Sequence, residues 1–254
     1  MFKLNAIWGM FAIIGALPLI GQIATNDLPE YFGKRVKVLA SMRLEESTFY
    51  IYEPTFKAKG VYSSINEAKS RTPEELVMSM QSETTQEWVN HNWLGGKGQV
   101  VSAAQFEKRK TRNKNTNYFE LVHKLTFMYN GNKMAIIKYW FVDDGKRTVL
   151  ANMVLQENAG RWYRTNVAGL DHLSAVVMRV KSEYLAALFK LTRSVRDMPE
   201  EKGEATAILS KIRENVLGEQ GVLDTERLYN EIIRLRSESR TNELFQLIDK
   251  SGVY

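Results

Sequence analysis

The sequence predicts an α+β protein, a helix packed on a curved antiparallel β-meander, with an apolar N-terminal segment before it and an α-helical tail behind. Turn pairs divide residues 117–168 into four β-rich runs, a Thr-Pro-Glu-Glu helix start precedes them, and apolar residues recur at helical spacing after Asp171. The expected organisation is a signal peptide or membrane anchor over 1–26, an α+β domain over 31–168 and a helical region over 169–254.

Lys3 is followed by an uncharged stretch from Leu4 to Asn26, which Asp27 ends. Its apolar part, Leu4 to Ala24, is long enough at about 1.5 Å per residue to cross a hydrocarbon core. Such a segment is either a secretory signal peptide or a membrane anchor. If Ala24 were the last residue removed, Gln22 would occupy a position that favours a small side chain, and retention as an anchor is therefore the expectation. Orientation has two readings. A short Lys-bearing start before an apolar core is the ordinary export signal, whereas Lys34, Arg35, Lys37 and Arg43 after it favour a cytoplasmic C-terminal side. The favoured location is the bacterial cell envelope, anchored, with the domain in the periplasm or outside. Secretion after cleavage and a cytoplasm-facing domain are the alternatives.

The chain has 254 residues and no cysteine, which excludes disulfides, zinc ribbons and thiol catalysis, so the domain must stand on packing alone. It contains no Asn-x-Ser/Thr sequon, which leans toward a bacterial rather than a glycosylated secreted protein. The net charge of +6 is uneven: residues 1–168 carry 22 Lys/Arg against 15 Asp/Glu, and residues 169–254 carry 13 against 14. A basic domain beside a membrane is drawn to anionic headgroups or to an acidic partner.

Along the chain, Val36, Val38 and Leu39, then Phe49, Tyr50, Ile51 and Tyr52, read as two or three strands. Thr72-Pro73-Glu74-Glu75 places an N-cap, a first-turn proline and a carboxylate able to reach back to the cap amide, opening a helix toward Leu94 that Ser82 resets midway. Asn130-Gly131, Asp144-Gly145 and Asn158-Ala159-Gly160 mark tight turns. In the first strand between them, Phe119, Leu121, Leu125, Phe127 and Tyr129 alternate onto one face, with Glu120, Lys124 and Thr126 on the other. The second, Met134 to Val142, is apolar on both faces and should be central. After an Asp171 cap, the stripe from Leu173 to Val195 predicts one long amphipathic helix. Shorter helices are expected at 204–217, at 225–236 behind an Asp224 cap, and at 241–250.

A helical segment followed by a long meander that ends in Gly160-Arg161-Trp162-Tyr163-Arg164 resembles the cone-shaped α+β fold of the NTF2-like superfamily, over about residues 70–168. The anchor plus such a domain looks like the VirB8-type components of bacterial conjugation and secretion machines. The resemblance implies either an assembly component or a pocketed binding domain.

Among candidate site residues, His123 stands out, because alternation puts it on the face of Phe119, Leu121, Leu125 and Phe127, where an imidazole needs a partner. Lys138, Tyr139, Trp140 and Asn152 lie on neighbouring strands and are the other candidate pocket residues. Lys108, Arg109, Lys110, Arg112 and Lys114 form a basic segment, read as an exposed loop for anionic lipid or an acidic partner; nucleic acid is not expected. Arg161 and Arg164 beside Trp162 and Tyr163 suggest a cation-π surface. Leu173, Val177, Val180, Tyr184, Leu188 and Leu191 form a helix face that either closes the domain's own core or binds a partner. Three scattered histidines lack metal spacing, and Gly95-Gly96-Lys97-Gly98 is too short for a phosphate loop, so no catalytic residue, metal or cofactor is expected.

The function these features favour is a non-enzymatic, exported or membrane-tethered interaction module of an envelope assembly, whose partners are the membrane and other envelope proteins or itself. The alternative is a small-ligand or enzymatic pocket centred on His123.

Overall fold

Residues 30–31, 34–35, 41–43, 47–167, 169–188, 222–238 and 248–249 are described by the computed structural model. The apolar segment 1–26, the expected helix at 204–217, and residues Val36, Val38, Leu39 and Leu191 lie outside them. No helix among the described residues is long and apolar enough to cross a membrane.

Three tight turns fold the chain back on itself. Asn130 and Gly131, Asp144 and Gly145, and Ala159 and Gly160 all have positive φ, the mirror-image turn geometry whose twist matches paired strands. They join β5 (Tyr118–Tyr129), β6 (Asn132–Asp143), β7 (Lys146–Asn158) and β8 (Arg161–Arg164). The earlier strand β4 (Thr48–Ala58) adds to the free edge of β5, giving a five-stranded antiparallel sheet in the order β4-β5-β6-β7-β8 with β6 central. Upstream, β1 (Glu30–Tyr31) and β2 (Lys34–Arg35) form a small hairpin, while β3 (Ser41–Arg43) pairs far along the chain.

Strand β5 does not alternate simply. The β5–β6 register shifts between Leu121 and His123, and this bulge moves every later side chain to the opposite face. Phe119 and Leu121 pack with Ala135, Ile137, Tyr139 and Phe141, while Leu125, Phe127 and Tyr129 pack with Met134 and Ile136 on the other side. The charged residues swap as well: Lys124 reaches Glu74 on the first face at 2.5 Å, and Glu120 holds Thr55 at 2.6 Å and Arg147 at 2.7 Å. The expectation that Phe119, Leu121 and His123 share a face is therefore corrected.

The first face is covered by α1 (Pro73–Ser82), whose Leu76 and Val77 are fully buried. Burying such side chains contributes about 1.5–3 kcal/mol each. Thr72 caps α1 by accepting from the Glu75 amide, while the Glu75 carboxylate takes the Arg71 amide instead of the cap's own. The chain then resets at Thr85, three residues beyond Ser82, to open α2 (Gln86–Asn92). The basic segment expected as a loop is largely helical: Ser102 and Gln105 form a reciprocal capping box for α3 (Ala103–Thr111), and Phe106 is buried beneath it.

The second face is closed by the C-terminal region. Here α4 (Asp171–Arg179), α5 (Ser182–Leu188) and α6 (Thr225–Ser237) bury Leu173, Val176, Val177, Tyr184, Leu185, Leu228, Ile232 and Leu235 against β5 and β6. The single helix expected from Leu173 is broken at Val180, which turns extended and bridges Ile248. Of the helix expected over 241–250 the described residues are 248–249, and there the bridge stands in place of helix. Asp171 lies in the first turn of α4 and does not cap it. Asp224 does cap α6, accepting from the Arg227 amide at 2.9 Å. Just before it, β9 (Val222–Asp224) pairs with β3, so the helical region is joined to the N-terminal segment by a β ladder as well as by packing.

The loop after β4 passes so close to the end of α1 that only glycine fits. A Cβ on Gly60 would stand 2.6 Å from the Gln81 carbonyl oxygen, which is backbone and cannot swing away. Gly60→Ala is expected to destabilise the protein by about 1–3 kcal/mol through this overlap. Urea denaturation of the full chain reads it, and an unchanged midpoint would contradict the close approach.

Candidate functional site

The five residues named from sequence around His123 divide among three places. His123 on β5, Lys138 on β6 and Asn152 on β7 stand in register across three adjacent strands, all facing α4. Tyr139 points the other way, into the first core, where its ring lies 4.5 Å from that of Phe119 and burial pushes its hydroxyl up to about 12. Trp140 is half-buried beside Arg147, whose guanidinium lies 5.7 Å from its ring.

The three residues in register meet three backbone carbonyls of the α4–α5 segment. Asn152 donates to the Ser174 carbonyl at 2.5 Å and to the Ser174 hydroxyl at 2.7 Å. His123 Nε2 contacts the Val177 carbonyl at 2.8 Å, and Lys138 donates to the Val180 carbonyl at 3.0 Å. A carbonyl only accepts, so the proton of His123 sits on Nε2, and Nδ1 accepts from the Ser182 hydroxyl at 2.9 Å. Lys138 also pairs with Asp249, whose amide donates to the Arg179 carbonyl at 2.8 Å.

His123 is fully enclosed, and burial together with the nearby Lys138 charge pushes it down to about 3. Its imidazole is neutral at any physiological pH, with both nitrogens engaged. Burial likewise lowers Lys138, which the Asp249 carboxylate draws back up. Chemically this row holds a helix on a sheet: the Val177 and Val180 carbonyls at the end of α4 gain donors, Asn152 adds a bond to Ser174 within the helix, and Lys138 brings positive charge to the negative end.

A second polar assembly lies on the first face. Trp88 Nε1 donates to the Ser79 hydroxyl at 3.0 Å, Ser79 donates to Asn92 at 2.9 Å, and Asn92 donates to Glu83 at 3.0 Å. Arg109 closes the chain on the other Glu83 oxygen, also at 3.0 Å. These bonds lock α1, α2 and α3 to one another. Burial raises the Glu83 carboxyl above its usual range, with Arg109 and Asn92 opposing the rise.

Beside this chain of bonds is a recess of about 50 Å³ between the three helices and the sheet. Met80, Val89, Trp93 and Phe119 give it apolar walls. Arg109, Arg112, Lys114 and Arg164 bring four cations to its lining, against the single carboxylate of Glu83. Arg164 lies over the Trp93 ring at 4.7 Å, held there because Trp93 and Arg164 also bridge through their backbones. Arg112 lies 5.3 Å from the Phe141 ring, and burial lowers both it and Arg109 without removing their charge.

The basic segment thus separates into two sets. Arg109, Arg112 and Lys114 line the recess, whereas Lys108 and Lys110 remain exposed on α3, Lys110 paired with Glu107 at 2.7 Å. Of the expected partner face, Leu173, Val177, Val180 and Tyr184 are buried against the chain's own sheet, and Leu188 sits at the end of α5. Arg161 lies over Tyr163 at 5.0 Å, while Arg164 chose Trp93, a ring that sequence proximity to Trp162 did not indicate. Glu83, Asn92 and Trp93 went unnoticed as site residues. The only local signal was a glutamate placed between two helix starts. No group of His, Asp or Glu among the described residues is arranged to hold a metal ion.

The buried row makes a pH prediction. An imidazole that titrates at an ordinary 6.5 when unfolded and at about 3 when folded takes up its proton only in the unfolded state between those values. Stability from this group is complete above about 6.5 and is lost as pH falls toward 3, a contribution of about 5 kcal/mol at most. His123→Gln, which keeps a donor for Val177, should flatten that acid limb in pH-dependent urea melts; an acid limb as steep as the parent's would exclude His123 as its source.

No protein-family model, curated protein or solved structure matches this chain.

Proposed function

We propose that the protein is a non-enzymatic binding module of a bacterial envelope assembly, tethered to a membrane by its first 26 residues and holding a ligand or a partner's side chain in the recess under α1, α2 and α3. The observation that carries this reading is the recess itself: cations from α3, the following loop and β8 converge on a hollow with an aromatic wall. A concentration of like charge around an apolar space costs folding energy unless something of opposite charge uses it. The helices-over-meander order is what the NTF2-like resemblance implies, and an anchor ahead of such a domain is the VirB8-type arrangement.

The recess is a better seat for a ligand than the surroundings of His123. Both imidazole nitrogens are taken, and α4 and α5 lie directly over them. A partner protein would meet the outer surface instead, where Lys108 and Lys110 offer contacts to an acidic surface or to anionic headgroups. The apolar stripe of α4 is committed to the chain's own core.

The tether is tested by fractionating cells that make the native protein, washing the membranes with carbonate and sequencing the N-terminus. The full chain, beginning at Met1 or Phe2, should stay in the washed membrane pellet. Recovery in the wash, or a chain that begins after Ala24, would overturn the tethered reading.

A further inference from the structure

We infer that the recess is a binding site for an oxyanion, a phosphate or carboxylate group, gripped chiefly by Arg164. The inference rests on the reading of the recess as a ligand seat and adds the chemistry of what sits there; it does not depend on the tether.

Arg164 is the residue that points to it. Its guanidinium lies over the Trp93 ring, 4.7 Å from the centroid, and lines the recess, and no hydrogen-bond acceptor or salt-bridging carboxylate among the described residues meets it. Glu83 is the nearby anion, yet one of its oxygens takes Asn92 and the other takes Arg109. Its charge helps to balance Arg164 through space without filling the fork. Lys114, exposed at the rim, is likewise without a carboxylate partner. An arginine whose contact in the chain is an aromatic ring has its N–H groups free of acceptors, and its planar fork matches the two oxygens of a carboxylate or phosphate.

Space and stiffness agree with this. One water needs about 10–15 Å³ by the same measure, so a recess of about 50 Å³ has room for a group of a few heavy atoms and no more. Its cations are also held in place before any ligand arrives: Arg109 by Glu83, Arg112 over Phe141, and Arg164 over Trp93. Little side-chain freedom remains to be lost on binding.

The chain has five tryptophans, so two-dimensional NMR of the indole N–H groups gives a short spectrum in which Trp93 is assigned by its loss in Trp93→Phe. The full chain in non-ionic detergent is titrated at constant ionic strength with inorganic phosphate, with acetate, and with acetamide as the uncharged counterpart of acetate. A saturable shift of the Trp93 indole with phosphate or acetate supports the site, and the tighter of the two names the source. Arg164→Gln should weaken that binding about tenfold, the loss expected for a charge-assisted hydrogen-bond pair. Lys114→Gln, at an exposed position, should weaken it about two- to threefold with the thermal midpoint unchanged, and it carries the test if Arg164→Gln does not fold. Acetamide binding as well as acetate, with both variants indifferent, would overturn the oxyanion while leaving the recess a ligand seat. If none of the three probes shifts Trp93 saturably, the oxyanion and the ligand seat fall together.

Discussion

One extra residue in β5 decides what each helical layer meets. Because side chains alternate along a strand, the bulge between Leu121 and His123 lets the same strand supply Phe119 and Leu121 to the core under α1 and Leu125, Phe127 and Tyr129 to the core under α4. Without the bulge, Lys124 would enter the second core and Glu74 would lose its cation, keeping only the Tyr52 hydroxyl on the sheet. Both layers of helices therefore depend on a local irregularity in one strand. The bulge also delivers His123 to the row where it meets Lys138 and Asn152.

That row explains how a polar strip survives between a sheet and a helix. A buried donor or acceptor left unpaired costs roughly 1–3 kcal/mol, and three in a line would undo the gain from the apolar residues around them. Each of these has a carbonyl to meet: those of Val177 and Val180 lie at and just beyond the end of α4, where helical carbonyls run out of partners, and that of Ser174 lies within the helix beside its own hydroxyl. The break at Val180 and the docking of Ile248 follow from the same arrangement, since the Lys138 ammonium is shared between the Val180 carbonyl and the Asp249 carboxylate. Replacing the row by apolar residues would strand the helix carbonyls instead, so the polar strip and the helix end are one structural unit.

How much of this was legible in the sequence follows the distance over which each feature is determined. Asn130-Gly131, Asp144-Gly145 and the Thr72-Pro73 start act on their own neighbours, and the strands and helix they delimit stand where expected. The Asp224 cap is local too. The bulge in β5, the helix break at Val180 and the helical state of the basic segment are set by partners elsewhere: the β6 register, Ile248 with Lys138, and the Phe106 anchor. Alternation counted through Val122 therefore assigned His123 to the right chemistry, a histidine needing partners, and to the face of Leu125 and Phe127, but wrongly to that of Phe119 and Leu121. The recess was the least legible of all, because Glu83, the basic segment with Arg109 and Lys114, and Arg164 come from three separate stretches and none of them carries a motif.

The two polar assemblies differ in a way that bears on function. In the row under α4, every named donor has an acceptor supplied by the chain, and its cation, Lys138, is neutralised by Asp249. In the recess, one carboxylate serves four cations, and Glu83 is already divided between Asn92 and Arg109. Folding tolerates the imbalance because Arg112 and Arg164 lie over the Phe141 and Trp93 rings, an attraction of about 0.5–2 kcal/mol each, while the Arg164 donors meet no acceptor among the described residues. A guanidinium that lines a cavity with its donors unused is poised to hold something. The first assembly completes the fold, and the second leaves it with unused recognition capacity at one place.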